Sequence, residues 1–380
     1  MLSPEKFLEN FKANGIGMIS GVPDSLLSEL NKAADALFEG KNKFLAVNEG
    51  SAVAHAAGYY LATGKIALIY MQNSGIGNAI NPLLSLVDPE VFGIPAILLI
   101  GWRGEPGVPD EPQHIKQGRV TESLLTAMEI PYFIINGMDN DYLIPEKAVK
   151  TALDIKGPVA ILVRKNTFMP ASINKPMSSG GDQQSLIREK VVGCILDSIP
   201  PNSLVISTTG HISREIYEQR LVKGAPADCD FLTVGSMGHV SQIALAIAQS
   251  SPSKFIVCID GDGSVLMHMG GLATVGVRNP KNMLHIVLNN GAHGSVGGQS
   301  TDALNINLNL IAKSCGYVVG ESPIKEYEEI NKAIKEMVSI NSVGFLEIVV
   351  GTFARSDLGR PKISPRENKK SFMRLLQVSK

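Results

Sequence analysis

The chain has 380 residues, of which 44% are hydrophobic and 19% charged, and its formal net charge is -1. This length suggests two domains, and the balanced charge excludes the strong basic field typical of nucleic-acid-binding proteins and of proteins drawn to acidic membranes. The longest apolar segments have the length of strands, and Met1 to Lys12 lacks the apolar core of a signal peptide, so we expect a soluble, cytoplasmic protein.

The first half of the chain alternates helical patterns with short apolar segments. Ser3-Pro4-Glu5 is typical of a helix start, with serine as the N-cap and proline in the first turn. Five apolar segments are predicted as strands, at residues 17–20, 66–70, 96–100, 132–135 and 159–163. Continuous apolar strands with helices between them indicate a parallel sheet that is covered on both faces.

The second half repeats this organisation after a break. From Met169 to Ser185 the pattern dissolves into a proline-, serine- and glycine-rich composition, which is typical of a linker. Predicted strands then return at residues 204–206, 231–233, 255–259, 284–288 and 345–349. We therefore expect an α/β protein with two doubly wound parallel-sheet domains, 1–168 and 188–380, joined by a linker at 169–187, with a C-terminal extension on the second domain.

Acidic and amide side chains follow two consecutive strands of the second domain. Asp262 lies in a Gly-Asp-Gly-Ser turn after one predicted strand, and Asn289-Asn290 ends the next, with 25 residues between Gly263 and Asn289. In an open α/β sheet the carboxyl ends of neighbouring strands face one ligand crevice. Asp262 and Asn290 are therefore expected to meet, although they are distant in sequence.

These residue types suit a divalent cation bound together with a phosphate group. Mg²⁺ prefers oxygen ligands, and it takes few of them from the protein when phosphate oxygens are present. Asp262 offers a carboxylate and Asn290 an amide oxygen, while Gly261 and Gly263 let the backbone approach a diphosphate closely. Ser264 and the helix start that follows add donors for anionic oxygens.

A Gly-Asp-Gly turn followed at this spacing by paired asparagines resembles the diphosphate motif of thiamine diphosphate (ThDP) enzymes. The resemblance implies ThDP and Mg²⁺ as cofactors, with Asp262, Asn290 and the Ala292 carbonyl as the metal ligands. It also implies that Met237, within Gly235-Ser236-Met237-Gly238, holds the cofactor bent between its two rings. Taken alone, Met237 is equally typical of core packing. The further cofactor-binding candidates implied by the resemblance are Thr209, Gly210, His211, Ser236, Gly261, Gly263, Ser264 and His293.

The family also requires a glutamate from the other half of the fold, and Glu49 fits the strand-glutamate-helix pattern. A carboxylate hydrogen-bonded to the aminopyrimidine ring favours the tautomer that takes up the thiazolium proton. In isolation, a glutamate at a helix start is more often a favourable partner of the helix dipole than a catalyst.

The resemblance covers nearly the whole chain. It implies a pyrimidine-binding (PYR) domain at 1–168 and a diphosphate-binding (PP) domain at 188–380, without the middle domain that longer family members carry. In the family, the glutamate and the diphosphate motif come from different subunits. The resemblance thus implies a homodimer or higher homo-oligomer with active sites at the subunit interface.

Two further residues are catalytic candidates. Asp24, in Gly21-Val22-Pro23-Asp24, resembles an aspartate that 2-oxo acid decarboxylases bring to the active site, with an ordinary Pro-Asp turn as the alternative. His114 follows the strand after which such decarboxylases place a catalytic histidine, and the alternative is a solvent-exposed loop histidine. The polar loop 72–78 is a third candidate for substrate or cofactor contact, although turn chemistry explains it nearly as well.

Within this family, the short layout resembles the phosphonopyruvate and sulfopyruvate decarboxylases and implies a small anionic 2-oxo acid as substrate. The stretches 101–107, 290–293 with 295–299, and 357–361 favour the phosphonopyruvate type. Two positions depart from its pattern, because Gly294 replaces an acidic residue and Ser300 a proline. Candidate cations for the substrate's anionic end are Arg103, Arg119, Arg355 and Arg360.

Three other functions compete with this hypothesis. A ThDP-dependent carboligase would join the activated aldehyde to a second oxo acid. A non-catalytic ThDP-binding module is disfavoured by Glu49, because binding alone does not need an acid beside the pyrimidine. A Rossmann dehydrogenase is weaker still, because no Gly-x-Gly-x-x-Gly segment opens a helix after an early strand.

Overall fold

The computed structural model describes residues 1–172, 186–225, 227–294 and 298–377. The chain divides into two compact units, Met1–Ser179 and Gly180–Lys380. Most of the linker predicted at 169–187 falls on residues 173–185 and so lies outside the described residues, as do residues 295–297 of the stretch 295–299.

The first unit is built on a parallel sheet that has six strands within residues 1–172, in the order β2-β1-β3-β4-β6-β5. Its strands are β1 (Met18–Gly21), β2 (Lys43–Leu45), β3 (Ala67–Gln72), β4 (Ala96–Gly101), β5 (Tyr132–Ile135) and β6 (Pro158–Val163). Its helices are α1 (Pro4–Ala13), α2 (Ser28–Leu37), α3 (Glu49–Thr63), α4 (Ile76–Ser85), α5 (Pro112–Ala127) and α6 (Ile144–Ile155). Every residue of β4 and β6 is buried, because helices cover both faces of the sheet centre.

The second unit has the same architecture, with six strands in its described residues, in the order β11-β12-β10-β9-β7-β8. Its strands are β7 (Leu204–Ser207), β8 (Asp230–Leu232), β9 (Ile256–Gly261), β10 (Met283–Asn289), β11 (Val318–Val319) and β12 (Gly344–Val349). Its helices are α7 (Arg188–Ser198), α8 (His211–Val222), α9 (Val240–Ser250), α10 (Asp262–Met267), α11 (Gly271–Arg278), α12 (Leu308–Ser314), α13 (Tyr327–Ser339) and α14 (Pro365–Gln377).

Side chains of the second sheet alternate between two apolar cores. Along β10, Leu284 and Ile286 pack into one core, and Met283 and Val287 pack into the other. This alternation follows from the two-residue period of a strand and shows that both faces of the sheet are covered. The prediction of two doubly wound parallel sheets is confirmed.

Helix α14 covers the edge strand β8. The Asn368 side chain accepts a hydrogen bond from the Leu232 N–H at 3.1 Å and donates one to the Asp230 carbonyl at 2.8 Å. The rings of Phe372 and Phe231 lie 5.6 Å apart beside these bonds. The amide thus occupies backbone groups that an open sheet edge would otherwise present to another strand.

All ten predicted strand segments coincide with observed strands, and the structure adds two short edge strands, β2 and β11, that were not predicted. Among the described residues, no helix has both the length and the apolar character needed to cross a bilayer.

Glu5 links the start of α1 to the segment around Ser172 in the same unit, and these contacts give a pH-dependent prediction. It accepts hydrogen bonds from Ser3 Oγ at 2.7 Å and from the Ser172 N–H at 2.6 Å. Burial raises the pKa of Glu5, but its hydrogen bonds outweigh burial and lower the pKa to about 2. Because the folded pKa lies below the unfolded value, this contribution to stability is present above about pH 4.5 and is lost as the pH falls toward 2.

Glu5→Gln should therefore lower the thermal midpoint at pH 7, and its difference from wild type should shrink between about pH 4.5 and 2. Thermal unfolding followed by circular dichroism across this range measures both effects. Glu9→Gln, at an exposed glutamate of the same helix, is the matched control. Equal effects of the two substitutions at pH 7 would contradict the role of Glu5.

Candidate active site

The ends of β9 and β10 bring Asp262 and Asn290 together. In the paired strands, Leu288 lies opposite Gly261, so the two turns leave the sheet at the same level. Asp262 is 3% exposed, and its carboxylate accepts hydrogen bonds from the backbone N–H groups of Asn290 and Gly263. Burial raises the pKa of Asp262 to about 6 against the opposing effect of these bonds, which marks a carboxylate that a nearby cation would stabilise.

Thr301 is a site residue that the sequence analysis missed. Its Oγ1 donates a hydrogen bond of 2.5 Å to Asp262 Oδ2, and its N–H donates to the Gly291 carbonyl at 2.7 Å. Ala292 and Ser300 form an antiparallel bridge beside it. The backbone bonds around this bridge are donated by His293 and Thr301, so a proline at position 300 would remove neither of them.

The Ser264 hydroxyl joins three segments of the site. It accepts hydrogen bonds from Thr208 Oγ1 and from the Gly238 N–H, each at 3.1 Å. Thr208 precedes Thr209-Gly210-His211, and Gly238 ends the segment that contains Ser236 and Met237. The structure therefore brings all three predicted cofactor segments together around the Gly261–Ser264 turn, with Ser264 as an internal partner of that turn.

Gly263 lies against Met237 and His293. A Cβ at position 263 would be 2.8 Å from His293 Cε1 and 3.4 Å from Met237 Cε, so only glycine fits without a shift. Burial lowers the pKa of His293 to about 4, and the ring is neutral at pH 7. At Gly261, in contrast, the nearest atom to an added Cβ is Ile212 Cδ1 at 3.6 Å. A Cβ there would make only ordinary van der Waals contacts, so the turn is less tightly packed at position 261 than at position 263.

These groups fit Mg²⁺ and a diphosphate. The donor set consists of one buried carboxylate, one amide oxygen and one carbonyl oxygen, from Asp262, Asn290 and Ala292, beside backbone surfaces that lack side chains. Within the described ranges, no group of three or more His, Cys, Asp or Glu side chains is arranged to hold a metal. The candidate metal site instead depends on a single carboxylate.

Glu49 is the first residue of α3, which Asn48 caps by accepting a 2.9 Å hydrogen bond from the Ser51 N–H. Glu49 is 5% exposed, and its Oε2 accepts a 2.7 Å hydrogen bond from Asn78 Nδ2. A Cβ on Gly75 would lie 2.2 Å from Glu49 Oε1, so the glycine makes room for the carboxylate. Burial raises the pKa of Glu49, and the Asn78 bond opposes this rise.

Asp24 follows β1 and is fully buried. Its two carboxylate oxygens accept hydrogen bonds from different groups. As the turn interpretation predicted, its Oδ2 caps a 3₁₀ helix by accepting a 3.2 Å hydrogen bond from the Leu26 N–H. Its Oδ1 accepts a 2.8 Å bond from Gln72 Nε2, and a Cβ on Gly101 would lie 1.9 Å from Oδ2. Burial raises the pKa of Asp24, and the Gln72 bond and the charge of Arg103 oppose the rise.

Arg103 connects the Asp24 loop to the loop that precedes helix α5, in whose first turn His114 lies. Its Nε donates to Asp110 Oδ2 at 2.8 Å, and its Nη1 donates to Ser25 Oγ at 2.9 Å. His114 is 8% exposed, so the alternative of a solvent-exposed histidine is wrong. Burial, followed by the Arg103 charge, lowers the pKa of His114, and its Nδ1 has no hydrogen-bond partner among the described residues.

The polar segment 72–78, which runs from the end of β3 into the first turn of α4, holds these candidates through hydrogen bonds within the first unit. Gln72 holds Asp24 and Asn78 holds Glu49, while Asn73 Nδ2 donates to the Arg103 carbonyl at 2.8 Å. The structure therefore gives three of its side chains a positioning function, each at the carboxyl edge of the first sheet.

Comparison with known proteins identifies the family. Residues 5–124 match the N-terminal TPP-binding domain of thiamine pyrophosphate enzymes, and residues 221–349 match the C-terminal TPP-binding domain. The phosphonopyruvate decarboxylase of Streptomyces viridochromogenes is 32% identical over 372 residues, which cover 94% of this chain and 91% of the relative. The chain belongs to the ThDP-dependent enzyme family.

Two further relatives of this ThDP-dependent enzyme match over similar lengths. The phosphonopyruvate decarboxylase of Streptomyces hygroscopicus is 31% identical, over 98% of this chain and 93% of the relative. The sulfopyruvate decarboxylase of Methanosarcina acetivorans is 28% identical, over 99% of this chain and 98% of the relative. The enzyme is a member of the ThDP-dependent decarboxylases, with N- and C-terminal TPP-binding domains and no middle domain between them.

The arginines suggested for the substrate differ in their surroundings. Arg103 forms an ion pair with Asp110, and Arg355 forms ion pairs with Glu189, Glu218 and Asp357, so both are already neutralised by carboxylates. Arg119, on α5, and Arg360 are exposed.

The position of Gly294 reveals another arginine that the sequence analysis missed. A Cβ on Gly294 would lie 3.5 Å from Asn290 Nδ2, 3.8 Å from His211 Nδ1 and 4.0 Å from Arg188 Nη1. Arg188 is buried and pairs with Glu215 through Nε and Nη2, at 2.8 to 3.1 Å. An acidic side chain at position 294 would therefore face nitrogen atoms of all three residues. Burial, with the charges of Arg188 and Arg214, lowers the pKa of His211 to about 4.

The packing of Glu49 on Gly75 leads to a prediction with a matched control. Gly75→Ala should displace the Glu49 carboxylate, and a displacement of this size should reduce turnover by roughly 10²-fold. Gly77→Ala, two residues later, should leave turnover near wild type because a Cβ there meets nothing within 4 Å. Steady-state turnover and thermal midpoints of both variants check this. Similar activities of the two folded variants would contradict it.

Proposed function

We propose that this enzyme decarboxylates 3-phosphonopyruvate to phosphonoacetaldehyde and CO₂, with ThDP and Mg²⁺ as cofactors. The observation that carries the proposal is the similarity to two Streptomyces phosphonopyruvate decarboxylases over nearly the whole chain. The proposed active form is a homodimer or a larger homo-oligomer.

The second unit would hold the diphosphate end of the cofactor. We assign Asp262, Asn290 and the Ala292 carbonyl to Mg²⁺, because these residues follow the ends of the neighbouring strands β9 and β10 and offer oxygen ligands of the kind that Mg²⁺ prefers. Met237 packs over Gly263 and is our candidate for the apolar support between the cofactor's rings. The remaining contacts to the diphosphate are assigned to the turns at Thr209–His211 and Ser236, to Ser264 and to His293.

Bound ThDP would supply a nucleophilic carbon for attack on the substrate carbonyl, and its cationic ring would take up the electron pair left when CO₂ departs. Glu49 is the proposed partner of its aminopyrimidine ring, through Oε1, because Asn78 already occupies Oε2. Burial favours a shared proton at this carboxylate, since the raised pKa of Glu49 brings the neutral and charged forms closer in energy.

Asp24 and His114 are the proposed proton-transfer residues. Decarboxylation breaks one carbon–carbon bond, and the carbon that loses CO₂ takes up one proton to become the aldehyde carbon. Asp24 retains a proton to higher pH than an ordinary aspartate, because burial raises its pKa, and this suits a donor. His114 stays neutral at pH 7, because its pKa is lowered, and this suits a proton relay.

Sulfopyruvate is the second candidate substrate. The similarity to the Methanosarcina sulfopyruvate decarboxylase also extends over nearly the whole chain. Gly294, in place of the acidic residue of the phosphonopyruvate pattern, lies near Asn290, His211 and Arg188. Removing a carboxylate there changes the charge beside the proposed metal site, which gives a physical reason for a different anion preference.

The substrate assignment is tested by supplying phosphonopyruvate, sulfopyruvate and pyruvate separately, with ThDP and Mg²⁺, and measuring CO₂ and free aldehyde. We expect the highest kcat/KM with phosphonopyruvate and one free aldehyde for each CO₂ released. A higher kcat/KM with sulfopyruvate than with phosphonopyruvate would show that sulfopyruvate is the substrate. A coupled product with little free aldehyde would favour the carboligase alternative.

The metal assignment is tested by calorimetric titration of ThDP with and without Mg²⁺. Asp262→Ala should remove most of the Mg²⁺-dependent gain in ThDP affinity, by at least about 10-fold, because the proposed site has a single carboxylate ligand. Asp302→Ala, at an exposed aspartate of the same unit, is the control and should behave as wild type. An unchanged Mg²⁺ effect in Asp262→Ala would contradict the assignment.

A further inference from the structure

A buried carboxylate lies in the strand next to the asparagine pair. Glu347, in β12, is 4% exposed between the buried residues Leu346 and Ile348. In the sheet register, β12 lies directly beside β10, with Glu347 opposite Val287. Placing a charged side chain in such a strand is costly unless hydrogen bonds compensate its lost hydration. The apolar pattern of the strand does not explain this residue.

The partner of Glu347 is Asn289, which is fully buried and directly precedes the proposed metal ligand Asn290. Asn289 Nδ2 donates a 2.7 Å hydrogen bond to Glu347 Oε1. A charged carboxylate only accepts hydrogen bonds, so it fixes which end of the amide faces it. The other end, Asn289 Oδ1, then accepts a 3.0 Å bond from the Gly291 N–H.

These contacts fix the turn that carries two of the proposed ligands. Gly291 has a φ of +62°, a conformation that is held on one side by Asn289 Oδ1 and on the other by the Thr301 N–H bonding to the Gly291 carbonyl. The Asn289 carbonyl accepts a further bond of 2.9 Å from the Val350 N–H. Asn290 and Ala292 lie on either side of Gly291, so their orientation depends on this turn.

We propose that Glu347 is a positioning residue that, through Asn289, holds the Asn290–Ala292 turn in the geometry required to bind Mg²⁺ and the diphosphate. This inference rests on the proposed function, because it assumes that Asn290 and Ala292 bind the metal. It goes further in assigning a functional role to a residue outside the diphosphate motif, in the neighbouring strand.

A reversal of the hydrogen bond provides the test. Asn289→Asp alone places two carboxylates in contact, and we expect ThDP affinity at saturating Mg²⁺ to fall by about 10-fold or more. In the double variant Asn289→Asp with Glu347→Gln, the glutamine amide donates to the new aspartate, whose other oxygen still accepts from Gly291. We expect this variant to recover affinity to within about 3-fold of wild type. Glu347→Gln alone keeps an acceptor for Asn289 and should stay close to wild type.

Calorimetric titration with ThDP and Mg²⁺ is the primary readout, and thermal unfolding is measured in parallel. A fall in the thermal midpoint of Asn289→Asp with unchanged Mg²⁺-dependent ThDP affinity would show a merely structural pair and overturn the inference. A folded double variant without recovered affinity would also overturn it. If Asn289→Asp does not fold, Glu347→Leu replaces it, because it frees the amide without adding a charge, and unchanged affinity there would again overturn the inference.

The same titration separates this inference from the proposed function. Wild-type protein that binds ThDP without any effect of Mg²⁺ would overturn the metal site and the role of Glu347 together. Failure to decarboxylate phosphonopyruvate would contradict only the substrate, because the test of Glu347 measures cofactor binding and uses no substrate.

Discussion

Burial of carboxylates at the carboxyl ends of parallel strands is the constraint on which the candidate site depends. A carboxylate removed from water is strongly destabilised unless hydrogen bonds or a cation compensate it. Each of the three buried candidates accepts a hydrogen bond from a neutral side chain: Asp24 from Gln72, Glu49 from Asn78 and Asp262 from Thr301. Since neutral donors compensate only in part, the pKa of all three remains raised by burial, which suits proton sharing or metal binding.

Much of the fold and part of the candidate site could be predicted from the sequence, because both depend on local patterns. Apolar segments gave the central strands, and the spacing of two polar turns indicated that Asp262 and Asn290 meet. The missed strands, Lys43–Leu45 and Val318–Val319, have 3 and 2 residues, which is too short for any periodicity. Both are edge strands, so neither needs the continuous apolar sequence of a strand buried on both faces.

The site residues that the sequence did not indicate were missed for a different reason. Thr301 reaches Asp262 across a bridge between Ala292 and Ser300, and Arg188 reaches the neighbourhood of Gly294 from the start of another helix. Their residue types are common, and their importance comes only from contacts made when the chain is folded. Sequence motifs reveal residues that must contact a fixed chemical group, but they do not reveal the partners that hold those residues in place.

The backbone around Asp262 shows why such partners are needed. Ser236 adopts a φ of +54°, in the left-handed region that costs a non-glycine residue on the order of 1 kcal/mol, and Gly291 adopts +62°. Turns of this kind persist only where the surrounding structure holds them. Ser264 ties the segment after Ser236 to the Asp262 turn, and Asn289 holds Gly291. The polar residues behind the turns therefore determine the geometry of the ligand-facing groups. A change in the supporting residues or in the ligand-facing residues should impair cofactor binding.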